Sequence, residues 1–223
     1  MGVTLIGDPG SCHMGNWNRA ARLVALGAEA GLDAVKFQLL KPQRRPDPAG
    51  NVHLPWSWLE RLVRLGERYQ IEVFASVFIP AAIGAVWEAG CQSIKFAYSQ
   101  SSTLWRVGIQ DQVKAFRTIY ASTDVMHPLP TLPNLKQLYC IPEYPVRWLV
   151  DFEELFPRFD GFSSHCLGIR QDVLAVRSGA KILEKHFTLD EPGITCPDHQ
   201  FALRPTALRR LVREVRACGD NDL

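Results

Sequence analysis

Residues 3–38 read VTLIGDPGSCHMGNWNRAARLVALGAEAGLDAVKFQ. The β-branched and apolar run Val3-Thr4-Leu5-Ile6 leads to Asp8 and reads as a strand. From Asn16 to Ala30, Ala20, Leu23, Val24 and Ala28 recur at helical spacing on one face, and Gly31 stands just past the end, where a helix commonly stops. Ala34-Val35-Lys36-Phe37-Gln38 is a second strand. Strand, helix and strand in this order form a βαβ unit, which places the two strands parallel in one sheet. The turn after the first strand, GDPGSCHMG, is not GxGxxG. A doubly wound open sheet usually carries that glycine-rich phosphate turn, so the unit points to a barrel.

The same alternation continues along the chain. Further strand-like runs are Ile71 to Ser76, Ser93 to Ala97, Arg117 to Ser122, Lys136 to Cys140, Asp160 to Ser163 and Ala180 to Glu184. Trp56 to Tyr69 has helical spacing through Leu59, Leu62, Val63 and Leu65. Thr206 to Ala217 does so through Leu208, Leu211, Val212 and Val215, with Arg209, Arg210, Arg213 and Arg216 off the stripe as a solvated face. About eight strands ending in a helix is the count of a (β/α)8 barrel, here one compact α/β domain spanning 1–223. The proline-rich stretches Lys41 to Pro55 and His127 to Pro133 read as rim loops, the first carrying Lys41, Arg44 and Arg45.

Composition sets the surroundings. Hydrophobic residues make up 47% and charged residues 22% of the 223, which excludes a disordered or fibrous chain. Lys plus Arg number 25 against 23 Asp plus Glu, a balance that gives neither nucleic acid nor a membrane surface a reason to bind. The six cysteines are scattered without a CxxC pair, and the opening MGVTLIGD lacks a signal-peptide pattern; both favour a reducing cytoplasm. The cysteines then read as small core residues, Cys12 and Cys166 included.

In such a barrel the active site lies at the C-terminal ends of the strands. Asp8 then His13, Lys36 to Gln38, Ser76, Lys95 with Tyr98 and Gln100, Ser122-Thr123, Glu143-Tyr144, Ser163-Ser164-His165 and Glu184-Lys185-His186 all fall there. Lys36 and Lys95 alternate with apolar neighbours, so they point into the mouth, where an anionic ligand would relieve a buried ammonium. A snorkelling surface lysine is the plainer alternative. His165 and His186 end adjacent strands and can approach each other as ligands of a divalent transition metal; a pair of hydrogen-bonded core histidines fits the spacing equally well.

Beyond these patterns, IGDPGSCHMGNWNRAARLVALGAEAGLDAVKFQ resembles the opening of the sialic acid synthase (N-acetylneuraminate synthase) family, where a strand, an acidic residue, an NHNG-like turn, a helix and a KFQ strand follow in order. GFSSHCLGI resembles that family's YSDHTLG segment, and ILEKHFTLDEPGITCPDHQFALRP its IEKHFTLD…GPDHxxSL segment. IPEYPV stands for its YP turn and YASTDVM for its STGM-like strand end. The resemblance implies a barrel enzyme that condenses phosphoenolpyruvate with an N-acylated mannosamine-type aldehyde, releasing phosphate and a 2-keto sugar acid. It implies His165 and His186 as ligands of a divalent ion, Mn2+ or Mg2+. Lys36, Ser76, Lys95, Ser122, Tyr144 and Ser163 would hold phosphoenolpyruvate, Asp8, Gln38 and Asp198 would face the sugar, and Glu184 would serve catalysis with Asp8 and His186.

Departures from the family pattern are specific. Asp8 stands for a glutamate, Tyr98 and Gln100 for a serine and a glutamate, Pro142 for an asparagine and Ser164 for an aspartate. The sequence stops at Leu223, where members continue into an antifreeze-like domain that reaches a partner subunit's site; a homodimer or a separate small-domain partner would complete it. These departures also fit a barrel kept as a binding or partner subunit, and a metal-dependent sugar aldolase or isomerase is a further alternative.

Overall fold

The computed structural model describes residues 2–43 and 46–219; Arg44 and Arg45 of the expected cationic rim loop lie outside them. Eight parallel strands close in sequence order into a barrel: β1 Thr4–Asp8, β2 Ala34–Leu39, β3 Glu72–Val77, β4 Ser93–Phe96, β5 Thr118–Thr123, β6 Leu135–Cys140, β7 Gly161–Ser164 and β8 Ile182–His186. Closure is made by β1 against β8, with Asp8 opposite His186. The helices are α1 Trp17–Ala30, α2 Leu59–Tyr69, α3 Ala82–Glu88, α4 Val107–Val113, α5 Arg170–Arg177 and α6 Pro205–Gly219.

α1 shows how the sequence sets its bounds. The Asn16 side chain accepts from the Arg19 amide at 3.1 Å, capping the first turn. Gly31 at φ 87° ends it in the left-handed region, where a side chain would be strained. Its apolar face, Ala20, Leu23, Val24 and Gly27, buries against the sheet.

Strand parity sorts inside from outside. On β2, Val35, Phe37 and Leu39 are buried under the helices, while Lys36 and Gln38 turn into the barrel. Phe74 of β3 and Tyr120 of β5 stack at 5.5 Å between ring centroids, forming an aromatic layer one step below Ser76 and Ser122 on the same strands. Each completely buried phenylalanine, such as Phe37, Phe74 or Phe162, contributes about 2 kcal/mol of apolar transfer.

The alternation is incomplete. Residues 124–134 between β5 and β6 and residues 141–160 between β6 and β7 hold no α-helix. Pro128, Pro130 and Pro133 in the first connection and Pro142, Pro145 and Pro157 in the second remove amide donors and disfavour helical neighbours, so these segments run as loops over the wall.

Candidate active site

The C-terminal mouth of the barrel holds a cavity of about 430 Å³. On one side β1 and β2 bring Asp8 and Lys36 together. Lys36 Nζ donates to Asp8 Oδ2 at 2.6 Å, and Gln38 Nε2 donates to the same oxygen at 3.2 Å. Burial would raise the Asp8 carboxyl, but the Lys36 and His186 charges outweigh it and hold it well below its ordinary value. Burial likewise opposes the Lys36 ammonium, and Asp8 and Glu184 overcome that and raise it. Both groups are therefore charged.

Across the cup, β4, β5, β7 and β8 converge on a second pair. Lys95 Nζ donates to Ser122 Oγ at 2.8 Å and to both Glu184 oxygens, at 3.0 and 3.1 Å. Ser163 Oγ donates to Glu184 Oε1 at 2.8 Å. Glu184 is pushed up by burial, yet Lys36 and Lys95 prevail and lower it. Lys95 differs from Lys36: burial lowers it, and the single carboxylate only partly offsets that. Its ammonium is the one that gains most from an arriving anion.

The imidazoles complete the mouth. His165 and His186 lie 5.4 Å apart between ring centroids, and Phe201 packs edge-on against both. Tyr144, half exposed, covers His165 at 4.1 Å. Burial drives His165 well below the ordinary histidine value, helped by the neighbouring His186 and Lys95 charges, so the ring is neutral with a lone pair to give. His186 Nε2 is 3.6 Å from Asp8 Oδ2, whereas its buried Nδ1 has no hydrogen-bond partner among the described residues and stands 3.9 Å from Asp198 Oδ2. The Asp198 carboxyl is raised by burial.

The turn after β1 positions the two aspartates. Gly10 donates its amide to Asp8 Oδ1 at 2.7 Å. It sits at φ 52°, and a Cβ there would stand 2.1 Å from Asp198 Oδ2. Only glycine lets this backbone pass between both carboxylates.

Parity thus gathers Asp8, Lys36, Gln38, Lys95, Ser122, Ser163, Glu184 and His186 around one cavity, and the connections after β6, β7 and β8 add Tyr144, His165 and Asp198. Other strand-end residues fall elsewhere. Ser76 is wholly buried beneath Lys36, accepting from its Nζ at 3.4 Å and donating to Phe37 O, so it supports that lysine and does not line the cavity. His13 is buried in the turn beyond β1, its Nδ1 accepting from the Gly15 amide. Lys185 faces outward, 2.9 Å from Asp172 of α5. Cys140 and Phe201 also line the cavity, and the strand-end reading passed over both. The spacing Leu138–Cys140 carries the signal for Cys140; Phe201 follows a short 3-10 turn, Pro197–Gln200, which strand periodicity does not reveal.

Among the described residues, no group of three or more His, Cys, Asp or Glu side chains is gathered so as to hold a metal ion ready-made. The donor chemistry still suits one: a neutral imidazole, a second imidazole with an unpartnered buried nitrogen, and the Asp8 and Asp198 carboxylates beside it.

A closed parallel barrel with a buried, cation-lined and carboxylate-lined mouth is the architecture of a barrel enzyme. The sequence profile of the NeuB family matches residues 132–221. An uncharacterised protein of Methanocaldococcus jannaschii is 34% identical over 239 residues, covering 95% of this chain and 69% of its own length. The N-acetylneuraminate-9-phosphate synthase of Homo sapiens is 28% identical over 248 residues, covering 95% and 69%. Among solved structures, the N-acetylneuraminic acid synthetase of Leptospira borgpetersenii, in complex with citrate, superposes with a TM-score of 0.78 at 21% identity, covering 99% of this chain and 85% of that one. The chain belongs to the NeuB family.

Proposed function

We propose that this chain condenses phosphoenolpyruvate with an N-acylated mannosamine-type aldehyde, giving a 2-keto sugar acid and inorganic phosphate. The observation that carries the reading is the cup itself: two buried ammonium groups, Lys36 and Lys95, flanked by Ser122 and Ser163, face two imidazoles across one cavity. A substrate bearing both a phosphate and a carboxylate needs such cations and hydroxyl donors.

Charge balance adds support. Asp8 and Glu184 already neutralise the two lysines, and His165 is neutral, so a multiply charged anion requires further positive charge in the cup. A divalent ion, Mn2+ or Mg2+, held by His165 and His186 would bring it and act as a Lewis acid towards the aldehyde oxygen.

The chain's own residues account for the rest. Lys36, Lys95, Ser122, Ser163 and Tyr144 hold phosphoenolpyruvate, with Ser76 fixing Lys36 from below. Asp8, Gln38 and Asp198 face the sugar. The enol carbon attacks the aldehyde carbon and a C–C bond forms, leaving an alkoxide that takes up a proton. The neighbouring carbon becomes oxocarbenium-like and captures water. Its bond to the phosphate oxygen then breaks, and the water's protons leave with phosphate and solvent. Glu184, anionic and held by Lys95 and Ser163, stabilises that cationic centre and orients the water. Keeping both substrates in register supplies on the order of 7–11 kcal/mol.

A cytoplasmic setting belongs to the same reading, supported by six free thiols, five of them buried. So does a homodimer or a small-domain partner over the mouth. Among the described residues no helix is long and apolar enough to cross a membrane. The test is phosphate release from phosphoenolpyruvate with Mn2+ and a panel of aldoses that includes N-acetylmannosamine. The expected result is release that requires both aldose and metal and disappears in His186→Ala. Metal-loaded protein that releases no phosphate with any acceptor contradicts the reading.

A further inference from the structure

The outward positions of β8 hold Leu183 and Lys185, both buried behind the barrel wall. A leucine is ordinary in that layer and a lysine is not. Lys185 is almost inaccessible, and its partner Asp172, on the first turn of α5, is wholly buried. An ion pair placed so deeply gives up hydration on both sides, and an apolar pair of similar volume commonly stabilises a fold as well or better. We propose that Lys185 is a positioning residue for His165: its ammonium holds the residues on either side of that imidazole and so sets the place from which the ring reaches a metal. The inference rests on the reading of His165 and His186 as metal ligands and adds what keeps the first of them in place.

The path of the chain shows why a tether is needed there. The ladder between β7 and β8 ends at Ser164 opposite Lys185, so His165 is the first residue past it. Two anchors take over. On the side of the connection after β6, the Val146 amide donates to His165 O at 3.0 Å, and Val146 and Cys166 form an isolated parallel bridge. On the side of β8, Lys185 Nζ donates to Cys166 O at 2.6 Å and to Ser164 Oγ at 3.2 Å. The same Ser164 hydroxyl accepts from the Cys166 amide at 3.4 Å. An ammonium donating to a carbonyl away from water makes a short, strong bond, and here that bond spans the main chain of His165.

Lys185 also immediately precedes His186. One side chain therefore ties His165 to the strand that carries the second imidazole, and the ring centroids stand 5.4 Å apart. Asp172, 2.9 Å from Lys185 Nζ, aims the ammonium from behind. Beside it on α5, Gln171 accepts from the Val150 amide at 3.3 Å and donates to Trp148 O at 3.0 Å, which fastens the connection carrying Val146 to the same helix turn. Groups that orient a metal ligand from behind act on affinity for the ion without touching it.

The test compares two double variants of the full chain. Lys185→Met with Asp172→Leu removes the charges and the donor together. Lys185→Gln with Asp172→Asn removes the charges and keeps a donor directed at Cys166 O. Chemical denaturation reports the stability of each, and titration with Mn2+ followed by electron paramagnetic resonance, which detects the free ion, reports metal affinity without substrate. Both are expected to remain folded. The first should bind Mn2+ about thirtyfold more weakly than the native chain, and the second should recover most of that loss. Native affinity in the first double variant, or equal weakness in both, overturns the positioning role while leaving the metal reading intact. So does a first double variant that fails to fold, which makes the pair an element of stability. A native chain that binds no Mn2+, or binds it as tightly after His165→Ala, overturns the metal reading and the inference with it.

Discussion

Lys95 and Lys185 are nearly identical in kind. Each is all but inaccessible, at 1% and 2% exposure, each is the penultimate residue of a strand of the same barrel, and each meets a carboxylate, at 3.0 and 2.9 Å. They differ in the face their strand presents. Lys95 points into the mouth, where Glu184, Ser122 and Ser163 share a cavity with it. Lys185 points out towards α5 and donates to Cys166 O at 2.6 Å and Ser164 Oγ at 3.2 Å. Asp172 approaches it as an ion pair without hydrogen-bond geometry. On the proposed reading the first pair exchanges its carboxylate for a ligand. The second brackets His165 from behind, through the residues on either side of it, and has nothing to exchange with.

The contrast is sharpest under mutation. Lys185→Met strands the Asp172 carboxylate without water, and chemical denaturation should show a loss of about 3–5 kcal/mol. Adding Asp172→Leu should restore most of it. Native-like stability in the single variant would make the outward pair idle. Lys95→Met should invert the pattern. Phosphate release falls by roughly a thousandfold, about 4 kcal/mol of transition-state stabilisation, while stability changes less because Lys36 remains 3.9 Å from Glu184 beside an open cavity. A rate close to that of the native chain would break the comparison.

His13 tests burial without a partner charge. Burial, reinforced by repulsion from His53, lowers its pKa from 6.5 to about 4. Below pH 6.5 the unfolded chain takes up a proton that the folded chain refuses until about pH 4. Stability is therefore complete above the unfolded value and falls as pH drops through this window, by about 3 kcal/mol. His13→Asn keeps an acceptor for the Gly15 amide and should flatten that part of the stability–pH curve; an unchanged slope would reassign it to other groups. The smallest effect is expected at Gly10. Gly10→Ala pushes Asp198 aside and should lower kcat/KM about tenfold. In an Asp198→Asn background the same change should cost much less, and equal losses in both backgrounds would disconnect Gly10 from Asp198.

The inward set of side chains was legible because strand parity and the barrel's C-terminal rule are both local regularities. Lys36, Lys95, His165, Glu184 and His186 follow from them directly. Depth is not written in parity, so Ser76 reads as a ligand although it lies beneath Lys36. The outward role of Lys185 follows from its place between Glu184 and His186, but its partner does not: Asp172 sits on a different element, and only packing of α5 brings it close. Proline content marks His127 to Pro133, in the connection after β5, as a loop. It does not tell that Asp124 and His127 interlock with Tyr98, which stands in the segment after β4, because that depends on how the two segments pack.

On the proposed reading one cup holds phosphoenolpyruvate on its lysines and the metal on its imidazoles. Diffraction from a crystal soaked with phosphoenolpyruvate and Mn2+ tests it most directly. Ligand density is expected within hydrogen-bond reach of Lys36 Nζ and Lys95 Nζ, with an anomalous peak on His165 and His186. Density that leaves both lysines on Asp8 and Glu184, or a manganese peak anchored away from the two histidines, would contradict it.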